Sequence, residues 1–131
     1  MSKYFKYKFK IYYEDTDSGG IVYYANYLKY LERARSEAIY SLGLTNLKLQ
    51  KDYGALIIVK SCNIEYKKPA KFEDELEIIS SILSKTRSSF TMLQIIKKNE
   101  EIISEATVQL VTVNKEGKPI KIPEILNDLL N

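Results

Sequence analysis

Hydrophobic and polar residues alternate from Tyr4 to Tyr13: Phe5, Tyr7, Phe9 and Ile11 share one face, Lys6, Lys8 and Lys10 the other. A period of two marks a strand with one buried and one solvated side. The period then changes. From about Tyr24 to Leu42, the residues Ala25, Leu28, Leu31, Ala34, Ala38 and Leu42 recur at helical spacing, opposite Lys29, Glu32, Arg33, Ser36 and Glu37. This predicts one long amphipathic helix whose small alanines allow close approach to a sheet. Gly43 is suited to end it. Thr45 to Tyr53 reads as a linker with a short helical turn from Leu47, closed by Gly54.

From Ala55 onward the pattern returns to strands. Ala55 to Tyr66, Glu75 to Leu83, Phe90 to Lys97 and Ile102 to Val113 are each β-branched or alternating. Pro69-Ala70, Lys85 to Ser88 and Lys98 to Glu101 separate them. Ile102, Ala106, Val108 and Leu110 are expected to point inward, and Pro123 to Leu130 to form one or two helical turns. The order is one strand, one long helix, then four consecutive strands. Short connections predict an antiparallel meander, and a lone amphipathic helix must bury its stripe on that sheet. The expectation is a single α+β domain over residues 1–131.

Composition narrows the chemistry. The chain has 131 residues, no histidine and one cysteine, Cys62. Absence of histidine removes Ser/His/Asp triads, Cys/His dyads and every histidine metal site, so no metal is expected. Cys62 excludes an internal disulfide and fits a reducing, cytoplasmic setting; inside a strand pattern it is expected to be buried and inert. The net charge of +3 suits an anionic small molecule or a membrane surface and is too dispersed to argue for nucleic acid. Met1 to Lys6 alternates basic and aromatic residues without the apolar centre of a signal peptide, and no run of about 18 apolar residues suggests a membrane helix.

The stretch between first strand and helix, Glu14-Asp15-Thr16-Asp17-Ser18-Gly19-Gly20-Ile21-Val22-Tyr23, holds the candidate chemistry. It imitates the opening of a calcium loop, but the twelfth position, where a glutamate belongs, is Asn26. Gly19 and Gly20 let backbone approach a ligand. The helix start that follows has N–H groups without intrahelical partners. Such an end polarises a carbonyl, and a neighbouring carboxylate can act on that carbonyl as base or nucleophile. A polar turn whose acids cap backbone is the plainer reading of the same residues.

Strand, D-x-D-x-x-G-x-V-x-Y, long helix and strand series together resemble the hotdog-fold acyl-CoA thioesterases, closest to the YbgC-like and 4-hydroxybenzoyl-CoA thioesterase branch. The residues that carry this are Tyr13 to Tyr23, then Asn26-Tyr27, Glu32-Arg33-Ala34-Arg35, Ile64-Glu65-Tyr66 and Pro69-Ala70. The resemblance implies a long helix wrapped by an antiparallel sheet of about five strands. It implies that Asp17 is the catalytic carboxylate, that the Tyr24 backbone N–H polarises the thioester carbonyl, and that Asp15 supports the loop. Gly20, Val22 and Asn26 would adjoin the substrate, Ser61 and Asn63 would line the site from a strand, and Lys85 and Arg87 would meet the nucleotide part of coenzyme A. No cofactor is implied, coenzyme A being part of the substrate. A homodimer or homotetramer with its site between subunits is implied. Tyr24 stands where the YbgC-like branch usually has histidine; a backbone donor survives that change. The alternative is a non-enzymatic interaction module for an acyl carrier protein or envelope complex, and contact with a peripheral membrane surface is open to either reading.

Overall fold

A computed structural model describes residues 3–131; Met1 and Ser2, part of the N-terminal reading above, lie outside them. The elements are β1 (Phe5–Lys10), α1 (Asn26–Tyr40), α2 (Asn46–Tyr53), β2 (Leu56–Tyr66), β3 (Glu75–Lys85), β4 (Ser89–Lys98), β5 (Glu101–Val113) and α3 (Asn127–Leu130). The five strands form one antiparallel sheet in the order β1-β3-β4-β5-β2. This is the α+β hotdog arrangement, with α1 lying on one face.

The meander is therefore confined to β3, β4 and β5. β2 does not pair with β3 as sequential order suggested; it pairs with β5 at the far edge, from Leu56↔Val113 to Tyr66↔Ser104. The segment between β2 and β3 crosses the sheet end instead of closing a hairpin. Buried contacts hold it there: Val22 N–H donates to the Ala70 carbonyl at 2.9 Å, and Ala70 N–H donates to the Tyr27 hydroxyl at 3.2 Å. Both edges of the sheet, β1 and β2, are left unpaired on their outer sides.

The helix is shorter than its periodicity suggested, and its buried stripe is rotated. Tyr27, Tyr30, Leu31, Ala34, Ala38 and Ile39 face the sheet, while Leu28 remains 48% exposed. Two tyrosine rings, with apolar bodies and polar tips, have taken core positions that the leucine pattern assigned elsewhere. In β5 the inward residue is Ile103, and Ile102 is exposed. The pairing passes from Ile96↔Ser104 to Lys97↔Ile102, leaving Ile103 as an extra residue in β5, and this bulge accompanies the change of phase. α2 is a full helix, with Thr45 Oγ1 capping Lys48 N–H at 3.0 Å. Gln94, fully buried in the centre of the sheet, donates to the Leu31 carbonyl and to Ser80 Oγ and accepts from Arg35 Nη1 at 3.0 Å.

Candidate active site

The loop after β1 is built by its own acids. Asp15 Oδ2 accepts from Tyr12 N–H at 2.8 Å, closing a short turn over Tyr13–Asp15. The Asp15 carbonyl accepts from Tyr23 N–H at 3.1 Å and from Asn26 Nδ2 at 2.8 Å. Asp15 thus ties the loop to the start of α1, and Asn26 is the clamp on the helix side.

Asp17 turns the chain back. Its N–H donates to the Ile21 carbonyl at 2.9 Å, and its Oδ1 accepts from Gly19 N–H at 2.9 Å and Ile21 N–H at 3.3 Å. Oδ2 accepts no hydrogen bond among the described residues, and the side chain is exposed. One oxygen is fixed by backbone while the other is free to meet a ligand. Gly20 sits at φ +77°, a left-handed conformation that side chains resist. Its carbonyl accepts from Phe72 N–H at 3.0 Å, so the turn is fastened to the crossover.

Tyr24 lies in the turn two residues before α1, not in its first turn. Its carbonyl accepts from Tyr27 N–H at 3.3 Å and from Tyr66 Oη at 3.2 Å. Its own N–H donates to no group among the described residues. The ring is exposed, 4.9 Å from that of Tyr23, and the hydrogen bond with Tyr24 is the first cause raising the Tyr23 phenol above its ordinary range. Val22 is buried, so only its backbone adjoins the loop.

The remaining candidates are not gathered around this loop. Ser61 and Asn63 pair with Gln109 and Thr107, whose neighbours Val108 and Leu110 point into the core; they therefore lie on the sheet face turned away from α1. The cause is a bulge between Val59 and Ser61, which reverses the alternation and turns Cys62 toward the helix. Cys62 is exposed, contrary to expectation, because β2 is an edge strand; partial burial still raises its thiol above the usual range. Lys85 reaches Asn131, and Arg87 is exposed in the turn after β3. They stand at the opposite end of β3 from Glu75, roughly 33 Å away at 3.3 Å per residue.

Sequence reasoning missed a cavity. Between α1 and the β2 edge lies a space of about 180 Å³, lined by Glu32, Arg35, Ser36, Ile39, Asn46, Ile57, Val59, Phe90, Met92, Leu110 and Leu129. Arg35 had been noted only as part of a motif. The lining residues come from six elements, and no single stretch of sequence announces them. Among the described residues no cluster of metal-ligating side chains occurs, and no helix is long and apolar enough to cross a membrane.

Fold and loop together define a hotdog protein of thioesterase type, whose loop holds a carboxylate oxygen and, in the turn before α1, an N–H that are both without hydrogen-bond partners among the described residues. The family model described as the thioesterase-like superfamily matches residues 12–130. An acyl-CoA thioesterase YbgC of Haemophilus influenzae is 33% identical over 92% of this chain and 89% of its own length. An acyl-CoA thioester hydrolase YbgC of Escherichia coli is 34% identical over 92% and 90%. The crystal structure of a probable thioesterase from Bartonella henselae superposes with a TM-score of 0.87 at 31% identity, covering 92% of this chain and 100% of that one. The chain belongs to the thioesterase-like superfamily, among the YbgC-like hotdog thioesterases.

Proposed function

We propose that the protein hydrolyses acyl-CoA thioesters, with Asp17 as the acting carboxylate and the Tyr24 backbone N–H as the carbonyl polariser. The observation that carries this reading is the pairing of a half-satisfied carboxylate with an unused donor. Oδ1 of Asp17 is committed to Gly19 and Ile21; Oδ2 is not. A thioester carbonyl oxygen placed on the Tyr24 N–H gains negative charge as the tetrahedral centre forms, and a preorganised donor of this kind is worth about 3–4 kcal/mol. Oδ2 then either takes the proton from an attacking water or attacks the carbonyl carbon itself. In both routes the C–S bond breaks, the sulfur leaves as the thiol of coenzyme A and one water is consumed: in the base route its oxygen enters the acid directly, and in the covalent route it opens the Asp17–acyl anhydride at the Asp17 carboxyl carbon, so the acid departs with an Asp17 oxygen. Heavy-oxygen water in a single turnover separates the routes, since only covalent attack passes a carboxylate oxygen of Asp17 into the product.

The site is completed by a second copy. Tyr66 of β2 meets Tyr24 at the helix start, whereas Ile57 and Val59 of the same strand line the cavity beside Ile39. β2 thus runs antiparallel to α1. Asn26 and Arg35 are nine residues apart, roughly 14 Å along the helix, so a chain's own Asp17 loop lies well away from its cavity. Joining two free β2 edges about a two-fold axis pairs them antiparallel. That operation carries the partner's Asp17 loop toward the cavity and toward the end of the sheet that bears Lys85 and Arg87. The separation of these residues within one chain is what a shared site requires.

The test is release of free thiol from a panel of acyl-CoA thioesters by wild type and Asp17→Asn, side by side. Turnover by wild type and a loss of at least about 100-fold in the variant are expected. Equal rates would remove Asp17 from the mechanism, and no turnover across the panel would overturn the hydrolase assignment.

A further inference from the structure

The cavity between α1 and β2 holds the guanidinium of Arg35; one carboxylate, Glu32, also stands in the lining and supports the Arg35 charge without forming an ion pair with it. Its walls are mostly apolar: Ile39, Ile57, Met92, Leu110 and Leu129. Arg35 enters it from the helix, half-buried. One of its five N–H groups is used, Nη1 to the Gln94 amide oxygen at 3.0 Å. It forms no ion pair among the described residues. The rim residue Glu32 is exposed and accepts instead from Ser36 Oγ at 3.2 Å.

Gln94 holds the guanidinium in place. Its amide nitrogen is committed to Leu31 and Ser80, which leaves its oxygen facing Arg35. The fork is thereby fixed by a neutral acceptor, with no carboxylate in ion-pair contact among the described residues. A guanidinium withdrawn from water calls for an anionic partner with two oxygens. At about 180 Å³ the space is slightly larger than the roughly 150 Å³ that accommodates a benzene ring. It suits a short acyl chain of about five or six carbons.

We infer that this cavity is the acyl subsite and that Arg35 selects acyl groups ending in a carboxylate, the mono-thioesters of short dicarboxylic acids. The inference rests on the hydrolase reading for what enters the cavity, and it deepens that reading by naming the substrate class. The methylene chain lies along Ile57, Met92 and Leu110, and the distal carboxylate meets the unused N–H groups of Arg35. The thioester end emerges toward the β2 edge, where the partner's loop stands in the paired arrangement.

The experiment measures binding, so that it does not depend on turnover. Glutaryl-CoA and pentanoyl-CoA, matched in chain length and differing in the terminal group, are titrated into the full-length Asp17→Asn protein by calorimetry. A charge-assisted contact predicts that glutaryl-CoA binds about ten- to a hundredfold more tightly. In Asp17→Asn/Arg35→Met, which keeps an apolar stem, the preference disappears. Equal or weaker binding of glutaryl-CoA with Arg35 intact overturns the inference, and this arm does not depend on the folding of any Arg35 variant. A preference that survives Arg35→Met in a folded protein also overturns it. Preferential binding of glutaryl-CoA, lost in Arg35→Met, without hydrolysis of either thioester by wild type supports the subsite and sinks the hydrolase reading alone.

Discussion

Tyr27 and Ala70 join the helix to the crossover: the Ala70 N–H donates to the Tyr27 hydroxyl at 3.2 Å, with both residues buried. The same Ala70 offers its carbonyl to Val22, so one residue of the crossover holds both the helix and the candidate loop. Tyr27→Phe leaves a buried N–H unsatisfied, which costs about 1–3 kcal/mol. The expected outcome is a lower urea midpoint with an unchanged slope. A midpoint equal to wild type would show that the loop is held without this contact.

The Tyr24 position separates a backbone role from a ring role. If the backbone N–H polarises the carbonyl, Tyr24→Phe and Tyr24→His retain thioester turnover to within a few-fold. Tyr24→Pro removes the donor and lowers kcat by about 100- to 1000-fold. The comparison is made on folded protein, checked by circular dichroism. A large loss in Tyr24→Phe would transfer the role to the hydroxyl.

Much of this arrangement was legible in the chain. The alternation from Phe5 to Lys10, the helical spacing through Ala34 and Ala38, and the acid-glycine loop each depend on local rules, and each is present where those rules put it. What was not legible depends on distant partners. The bulge at Val59/Ser61 carries no composition signal, yet it decides that Cys62 faces the helix and Ser61 does not. The position of β2 beside β5 is fixed by the crossover through Ala70, a contact between residues 43 apart. Arg35 enters the sequence reading only within the Glu32-Arg33-Ala34-Arg35 motif, and its place beside Gln94 on β4 depends on a residue 59 positions away.

Gly20 tests whether the loop geometry matters for function beyond stability. At φ +77° a side chain is strained, at about 1–2 kcal/mol. Apart from its two chain neighbours, no atom of the described residues lies within 4 Å of a Cβ placed there, so Gly20→Ala is expected to fold with a modestly lowered melting temperature. At Gly19 a Cβ meets Asp17 Oδ1 at 3.3 Å. Gly19→Ala is therefore expected to displace the carboxylate proposed to act, and kcat should fall by more than in Gly20→Ala. The reverse order would argue against a positioned Asp17.

Tyr30 gives the fold an alkaline limit. Its hydroxyl is buried and has no hydrogen-bond partner among the described residues. Burial, then the Asp15 charge, pushes its phenol far above the ordinary value of 10.0. Because the folded-state value is raised, the contribution to stability is full below about pH 10 and is lost as pH rises beyond it, where only the unfolded chain releases the proton. Tyr27 shifts the same way, chiefly through burial. Unfolding free energy should fall above pH 10, and Tyr30→Phe should show a shallower fall. Identical pH profiles would mean that Tyr30 does not carry the effect.

The proposed shared site makes a prediction that no single-chain site satisfies. Asp17→Asn disables the loop, and Ile57→Trp fills the cavity, so each homodimer should be inactive. In a heterodimer one site receives both damaged parts and the other receives an intact loop from one chain and an intact cavity from its partner. Random reassortment of an equal mixture makes half of the dimers mixed, so about one quarter of all sites recover activity. The measurement is thioester turnover after the two variants are mixed, dissociated in mild denaturant and refolded together. Recovery near that fraction requires the loop and the cavity of one site to come from different chains. If both came from the same chain, every site would carry one defect and the mixture would stay inactive.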